Sequence, residues 1–396
     1  MRERRICILT QPLSNGYGGL LQAYALQVVL KRLGHKVWTE DRRRNASLWA
    51  RCVKSVKSLI IHFIGPLMTK LTNVFYSTSQ DIQRINQHTD YFKDKYIVTT
   101  KPIYSNKKDK LQKYGFDTYI VGSDQVWRPR YSYGLNAIYN YFLDFTKGMD
   151  VKRIAYAASF GVSEWEFSDV QTRICASLLR QFDAVSVRED DGIDLCKRYF
   201  GIDAKQVLDP TLLLQKEDYI NLVERENEPR FSDNLFCYFL DSSEEKKEMS
   251  EEVAKDLNLR PFSIMPTALF YQVGPKHFDE CIYAPVTAWL RAYMDADFIV
   301  TDSFHGTVFA IIFNKPFITI ANKSRGLSRF TSVLKLFGLE DRLIYSKAEI
   351  THELLTYPID FERVNKIKAD KQNEALEFLN LSLNSTIESC RQSRNL

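Results

Sequence analysis

Residues 4–40 read RRICILTQPLSNGYGGLLQAYALQVVLKRLGHKVWTE, and the order of hydrophobic patterns in this stretch decides the fold class. Residues 4–10 form an apolar run of strand length. Residues 20–33 repeat apolar side chains at helical spacing until Gly34 stops them, and residues 35–40 return to strand. A strand–helix–strand unit of this size begins a doubly wound α/β sheet. Between the first strand and the helix lies Ser14-Asn15-Gly16-Tyr17-Gly18-Gly19. Such a turn aims free N–H groups and the positive end of a helix dipole past the strand's C-terminal edge, which suits a phosphate or carboxylate. The spacing is not G-x-G-x-x-G, so the plainer alternative is a tight turn that only joins strand to helix.

Working outward, strands are expected at residues 118–122, 141–145, 153–158, 184–187 and 205–208, with helical patterns between several of them. A second alternating series starts near Asn234. It has strands at 235–240, 261–265, 297–301 and 316–320, and helices at 244–257, 286–294 and 306–313. The expected architecture is therefore α/β, with two Rossmann-like domains facing a cleft. Residues 1–215 form the first domain, with a basic insertion at about 42–80. Residues 216–355 form the second, and residues 356–396 a helical tail. The charged stretch at 215–233 reads as a helix-poor boundary, and 361–390 as one or two polar helices.

A chain of 396 residues is long enough for two ordinary cores. Its hydrophobic share of 45% and charged share of 26% are those of a folded globular protein, not of a disordered or fibrous one. The formal net charge of +5 is too mild to indicate nucleic acid. Seven scattered cysteines without a C-x-x-C pair suggest neither a disulfide framework nor a zinc knuckle, so a reducing cytoplasm is the expected compartment. The N-terminus enters a strand at once, without the apolar region of a signal peptide.

Chemistry concentrates at the ends of strands. Asp302-Ser303-Phe304-His305-Gly306-Thr307 follows an apolar strand and opens a helix, placing His305 where ligands of open α/β sheets bind. A histidine there can donate to an anion and exchange a proton near neutral pH, with Ser303, Gly306 and Thr307 converging on the same spot. The alternative is a helix cap or polar corner. Arg188, at the end of the strand 184–187, can grip an anion with parallel hydrogen bonds or pair with Glu189 or Asp190. Ser123 and Asp124 end another strand and are either cleft residues or, for Asp124, a helix cap.

From Arg42 to Gln80 there is no Asp or Glu, while Arg42, Arg43, Arg44, Arg51, Lys54, Lys57 and Lys70 add positive charge. Apolar residues from Trp49 to Leu67 recur every three or four positions, so residues 49–64 are expected to form a basic amphipathic helix. It suits peripheral contact with an anionic membrane, or packing on its own domain or a sister subunit. There is no G-x-S-x-G elbow, no P-loop and no metal-ligand spacing, which leaves nucleophilic, ordinary kinase and metal chemistry without support.

Taken together, Asn15-Gly-Tyr-Gly-Gly-Leu-Leu-Gln-Ala-Tyr-Ala-Leu26, Ile120-Val-Gly-Ser-Asp-Gln-Val-Trp127, Val185-Ser-Val-Arg-Glu189 and Val300-Thr-Asp-Ser-Phe-His-Gly306 resemble the polysaccharide pyruvyl transferase family. Weaker echoes lie at 155–161, at Val207-Leu-Asp-Pro-Thr-Leu212 and at 328–330. The resemblance implies a GT-B-like fold, phosphoenolpyruvate as co-substrate with no separate cofactor, and a saccharide acceptor, with a polyprenyl-pyrophosphate-linked one giving the basic helix a use. It also implies that Asn15, Gly16, Gly18, Gly19, Ser123, Asp124, Ser303, Gly306 and Thr307 line the substrate site. Arg188 would hold the donor, and His305 would bind it and act as general acid. Some relatives carry an arginine where this chain has Ser303, so another cation is needed, with Arg325, Arg329 and Lys323 as candidates. The rival readings are a nucleotide-sugar glycosyltransferase and a non-catalytic saccharide- or lipid-surface-binding protein.

Overall fold

A computed structural model of the chain describes residues 2–14, 16–42, 75–103, 109–132 and 137–385. Asn15 and the expected helix at 49–64 lie outside them. The first sheet is built from β1 (Arg5–Leu9), β2 (Lys36–Thr39), β3 (Thr118–Val121), β4 (Lys152–Ala158), β5 (Ala184–Val187) and β6 (Lys205–Gln206). Its spatial order is β2-β1-β3-β4-β5-β6, all parallel. The second contains β7 (Leu235–Tyr238), β8 (Pro261–Phe262), β9 (Phe298–Thr301), β10 (Phe317–Ile320) and β11 (Leu343–Ile344), in the order β11-β10-β9-β7-β8 and again all parallel. Strands β3, β4, β7, β9 and β10 are buried along their whole length, as expected when helices cover both faces of a parallel sheet.

The strand order determines where ligands can bind. In the first sheet the winding reverses between β1 and β3, and in the second between β7 and β9. At such switch points the flanking loops diverge and leave a crevice beyond the carboxyl ends of the strands. Helix α1 (Tyr17–Arg32) leaves β1 at the first crevice. Helices α2 (Ser79–Ile85) and α3 (Gln87–Tyr96) follow, and α4 (Asp169–Leu179) precedes β5. After β6 come α5 (Lys216–Arg225), α6 (Glu244–Asp256), α7 (Val286–Asp295), α8 (Phe304–Ile312), α9 (Ser328–Phe337) and α10 (Phe361–Asn384). Helix α8 leaves β9 at the second crevice.

The two sheets share an apolar seam. Tyr17, at the start of α1, stacks on Trp289 of α7 with ring centroids 5.7 Å apart, and its hydroxyl donates to the Ala284 carbonyl at 3.1 Å. Helix α10 spans the seam from the other side. Arg363 donates to the Gly338 carbonyl in the second unit at 3.0 Å, Gln372 donates to the Leu212 carbonyl at 2.6 Å, and Arg4 reaches Leu383 O at 2.6 Å. Its Val364, Ala375, Leu379 and Leu383 are buried, so the expected polar tail is one long helix with an apolar stripe.

Other expectations fail for identifiable reasons. Residues 141–145 are not a strand: Leu143 has a φ of 55°, and the segment turns between the short helix Ala137–Asn140 and the 3-10 helix Asp144–Thr146. Its apolar residues serve packing instead, with Phe142 stacked on Trp127 at 5.2 Å. The stretch expected to be helix-poor holds α5, whose Tyr219, Leu222 and Val223 recur at helical spacing and are buried beneath the charged face. No helix among the described residues is long and apolar enough to cross a membrane.

If α10 ties the units together through its apolar stripe, Leu379→Ala will lower the unfolding free energy by about 2–5 kcal/mol, the range for truncating a buried leucine. Denaturant titration measures this. A change below about 0.5 kcal/mol would show that the helix contributes little to holding the units together.

Candidate active site

The crevices at the two switch points face each other and merge into one cleft of about 950 Å³. The loop after β1 brings Ser14, Gly16, Gly18 and Gly19 to it, and the loop after β3 brings Asp124 and Gln125. Tyr238 and Leu240 enter from the end of β7, and Ser303, Phe304 and His305 from the end of β9. Helices α1 and α8 thus point their N-termini into the same space. Helix α8 is capped by Ser303, whose hydroxyl accepts from the Gly306 N–H at 3.3 Å, while the N-cap of α1, Gly16, makes no side-chain cap. Unsatisfied first-turn N–H groups and positive dipole ends favour an anion there.

His305 stands in the wall of this cleft, 8% exposed. Its Nε2 is sealed from solvent and lies 3.8 Å from Oδ2 of Asp209, an ion-pair contact too long for a hydrogen bond. On its other side the ring rests on Gly18: a Cβ at that position would fall 2.1 Å from His305 Nδ1. Gly18 therefore exists to let the imidazole lie flat against the first turn of α1. Gly306 has a comparable task, because a Cβ there would fall 2.1 Å from Thr301 Oγ1 and push α8 off its own strand.

Asp209 is the residue that sequence reasoning passed over. It is fully buried just after β6, and its Oδ1 accepts from the Thr211 N–H at 3.0 Å and the Thr211 hydroxyl at 2.7 Å. Its Oδ2 accepts from the Ser123 hydroxyl at 2.8 Å and from Arg188 Nη1 at 2.9 Å. Burial alone would push this carboxyl up, but His305, Arg188 and Thr211 outweigh it and hold it well below the usual carboxylate range. The available signal was Leu208-Asp209-Pro210 at the end of a short strand, which reads as an ordinary turn until its partners are known.

Arg188 is not in the cleft lining. Its Nη1 is committed to Asp209, its Nε to Glu189 at 2.9 Å and its Nη2 to the Ser159 hydroxyl at 3.0 Å, with the Phe304 ring 4.2 Å from its Cζ. Burial opposes its charge, but Glu189 and Asp209 hold it above the ordinary arginine value. The expected anion clamp is thus a buried ion pair that supports Asp209 from behind. Ser123 is likewise buried against Asp209, and Thr307 is buried between the Ser303 carbonyl and Thr319, so neither borders the cleft. Asp124 does border it. It caps no helix; at a φ of 76° it accepts the N–H of Gln125 at 2.8 Å.

Two of the proposed cations reach the cleft. Arg325 forks onto Asp241 with both contacts at 2.6 Å, which lowers that carboxyl to about 2. Arg329 has no carboxylate partner among the described residues, and burial followed by the neighbouring Arg188 pushes its guanidinium down to about 10. The Lys323 side chain lies outside those described. The loop bearing Arg325 is docked on the first unit at Gly326, whose φ is 101° and where a Cβ would fall 1.9 Å from the Gly161 carbonyl oxygen.

Gly18→Ala tests the histidine's seat without straining a helical backbone. Displacing the imidazole should lower turnover about 100-fold, the scale of a 1 Å misplacement, with His305→Ala as the comparison. Asp209→Asn tests the carboxylate. Because its folded pKa lies below the unfolded value of about 3.9, its stabilisation is present at neutral pH and fades as pH falls below about 4. The melting-temperature gap between wild type and Asp209→Asn should accordingly be full at pH 7 and begin to shrink only below about pH 4, so that it is smaller at pH 3 than at pH 7 without being lost there. A gap independent of pH would contradict the ion-pair assignment.

The sequence signature described as polysaccharide pyruvyl transferase matches residues 17–324. No curated protein matches the chain in sequence. Among solved structures, the UDP-GlcNAc 2-epimerase from Neisseria meningitidis bound to UDP-GlcNAc is similar at a TM-score of 0.53 and 10% identity, covering 96% of this chain and 99% of that one. An Arabidopsis thaliana protein complexed with UDP-L-rhamnose gives a TM-score of 0.50 at 8% identity, covering 98% and 100%. At such identities the likeness speaks for the fold alone, which is the GT-B-like arrangement of two facing parallel sheets.

Proposed function

The chain belongs to the polysaccharide pyruvyl transferase family, and from that premise we propose that it transfers pyruvyl from phosphoenolpyruvate to two hydroxyls of a saccharide. The product is a cyclic pyruvate ketal of the kind that decorates surface or capsular polysaccharide. The observation that carries this reading is His305, seated in the wall of an anion-attracting cleft with its Nε2 facing the buried Asp209 carboxylate. With Nε2 sealed on that side, Nδ1 is the ring nitrogen left to exchange a proton.

The imidazolium of His305 gives its proton to the methylene carbon of phosphoenolpyruvate, and cationic character develops at the adjacent carbon bearing the phosphate and carboxylate. One saccharide hydroxyl adds to that carbon and returns a proton to His305. The carbon–oxygen bond to phosphate breaks, the second hydroxyl adds in its place, and its proton leaves with the phosphate. Donor and diol thus become ketal and phosphate, with the methylene now a methyl. The N-termini of α1 and α8 and the cleft's guanidiniums would hold a strongly anionic donor beside a weak nucleophile, so positioning and fixed charge supply most of the acceleration.

Phosphate release from phosphoenolpyruvate, measured against galactose- and mannose-containing acceptors, should depend on the acceptor and fall by about 100-fold or more in His305→Ala. Undiminished turnover in that variant would remove the acid role. Silence towards phosphoenolpyruvate, together with consumption of a nucleotide sugar, would replace the reading with glycosyl transfer.

A further inference from the structure

Two guanidiniums lie near the ring of Phe304, the residue before His305. The Cζ of Arg188 lies 4.2 Å from the ring centroid and that of Arg329 lies 5.7 Å away. Their surroundings differ sharply. Arg188 is saturated by Asp209, Glu189 and Ser159. Arg329 is as deeply buried, at 6% exposed, yet it forms no ion pair among the described residues. Its Nη2 donates to the Arg325 carbonyl at 2.7 Å, and its Nε is buried with no hydrogen-bond partner.

Among the described residues, other cations near this cleft are matched. Arg128 pairs with Glu166 at 3.0 Å, Arg325 with Asp241 and Lys246 with Asp302, both at 2.6 Å. A buried guanidinium that donates to one carbonyl, has a buried Nε–H without a partner and feels the carboxylates of Asp124 and Glu189 only at a distance is incompletely compensated. An oxyanion entering the cleft corrects both defects, since the planar fork of arginine matches carboxylate and phosphate alike. Arg329 borders the same cleft as Ser303 and His305, so such an anion would also meet the N-terminus of α8.

We infer that Arg329, not Arg188, is the residue that clamps an oxyanion of the donor, supplying the charge that Ser303 cannot. The identity of the anion rests on the phosphoenolpyruvate reading; the unpartnered Nε of Arg329 does not.

Steady-state kinetics of Arg329→Gln and Arg329→Lys test the assignment. Arg329→Gln should raise KM for phosphoenolpyruvate about ten- to hundredfold with a smaller change in kcat, and Arg329→Lys should recover part of the loss. A matching rise in the inhibition constant of inorganic phosphate assigns the clamp to the donor's phosphate, and a rise in that of pyruvate assigns it to the carboxylate. Unchanged KM and unchanged inhibition by both anions in a folded variant would overturn it. Should Arg329→Gln not fold, Arg329→Lys, which keeps the charge but not the fork, bears the same comparison. If the wild-type protein neither turns over nor binds phosphoenolpyruvate, the pyruvyl-transfer reading falls. Calorimetric titration with inorganic phosphate then judges the clamp alone: weaker binding to the variant supports it, and equal binding, or none to either protein, overturns it.

Discussion

The buried carboxylate of Asp209 is the constraint on which the site depends. It sits where three separate stretches of chain meet: Ser123 from the end of β3, Arg188 from the end of β5 and His305 from the start of α8. A lone buried carboxylate would be strongly unfavourable, so its ionised state requires Arg188 and the Thr211 and Ser123 hydrogen bonds to be in place. Once it is ionised and fixed, it faces His305 across the boundary between the two units.

The rest of the architecture keeps that meeting point closed and oriented. The Tyr17–Trp289 stack joins α1 to α7, helix α10 bridges both units, and the Gly326–Gly161 approach pins the loop that bears Arg325. Gly18 completes the arrangement by omission, since any side chain there would occupy the space of the imidazole. The four loops at the two switch points are thus held by packing some distance from the chemistry. Positive helix ends and matched ion pairs then leave the cleft's electrostatics with one unmatched guanidinium among the described residues, that of Arg329.

Much of this was legible from sequence because the signals are local. Apolar strands followed by glycine-rich or Ser/His-bearing turns identify the crevice loops, and they led directly to Gly18, Asp124, Ser303 and His305. What was not legible depends on distant partners. Whether Arg188 faces a ligand or a buried carboxylate is decided by Asp209, which sits 21 residues away along the chain. Asp209 in turn looks like a turn residue until His305 is brought to it. The misread strand at 141–145 has the same origin: a short aromatic-rich run suits a strand, while the left-handed backbone at Leu143 and the stack on Trp127 place it in a turn. The charged run at 215–233 hid a helix because its buried residues, Tyr219, Leu222 and Val223, are few among charged ones.

A crystal structure with phosphoenolpyruvate bound tests the account most directly. It should show the donor between the N-termini of α1 and α8, with an oxyanion on Arg329, His305 within reach of the methylene carbon and the Arg188–Asp209 pair intact. A donor held by an Arg188 that has left Asp209, or one bound away from His305, would contradict it.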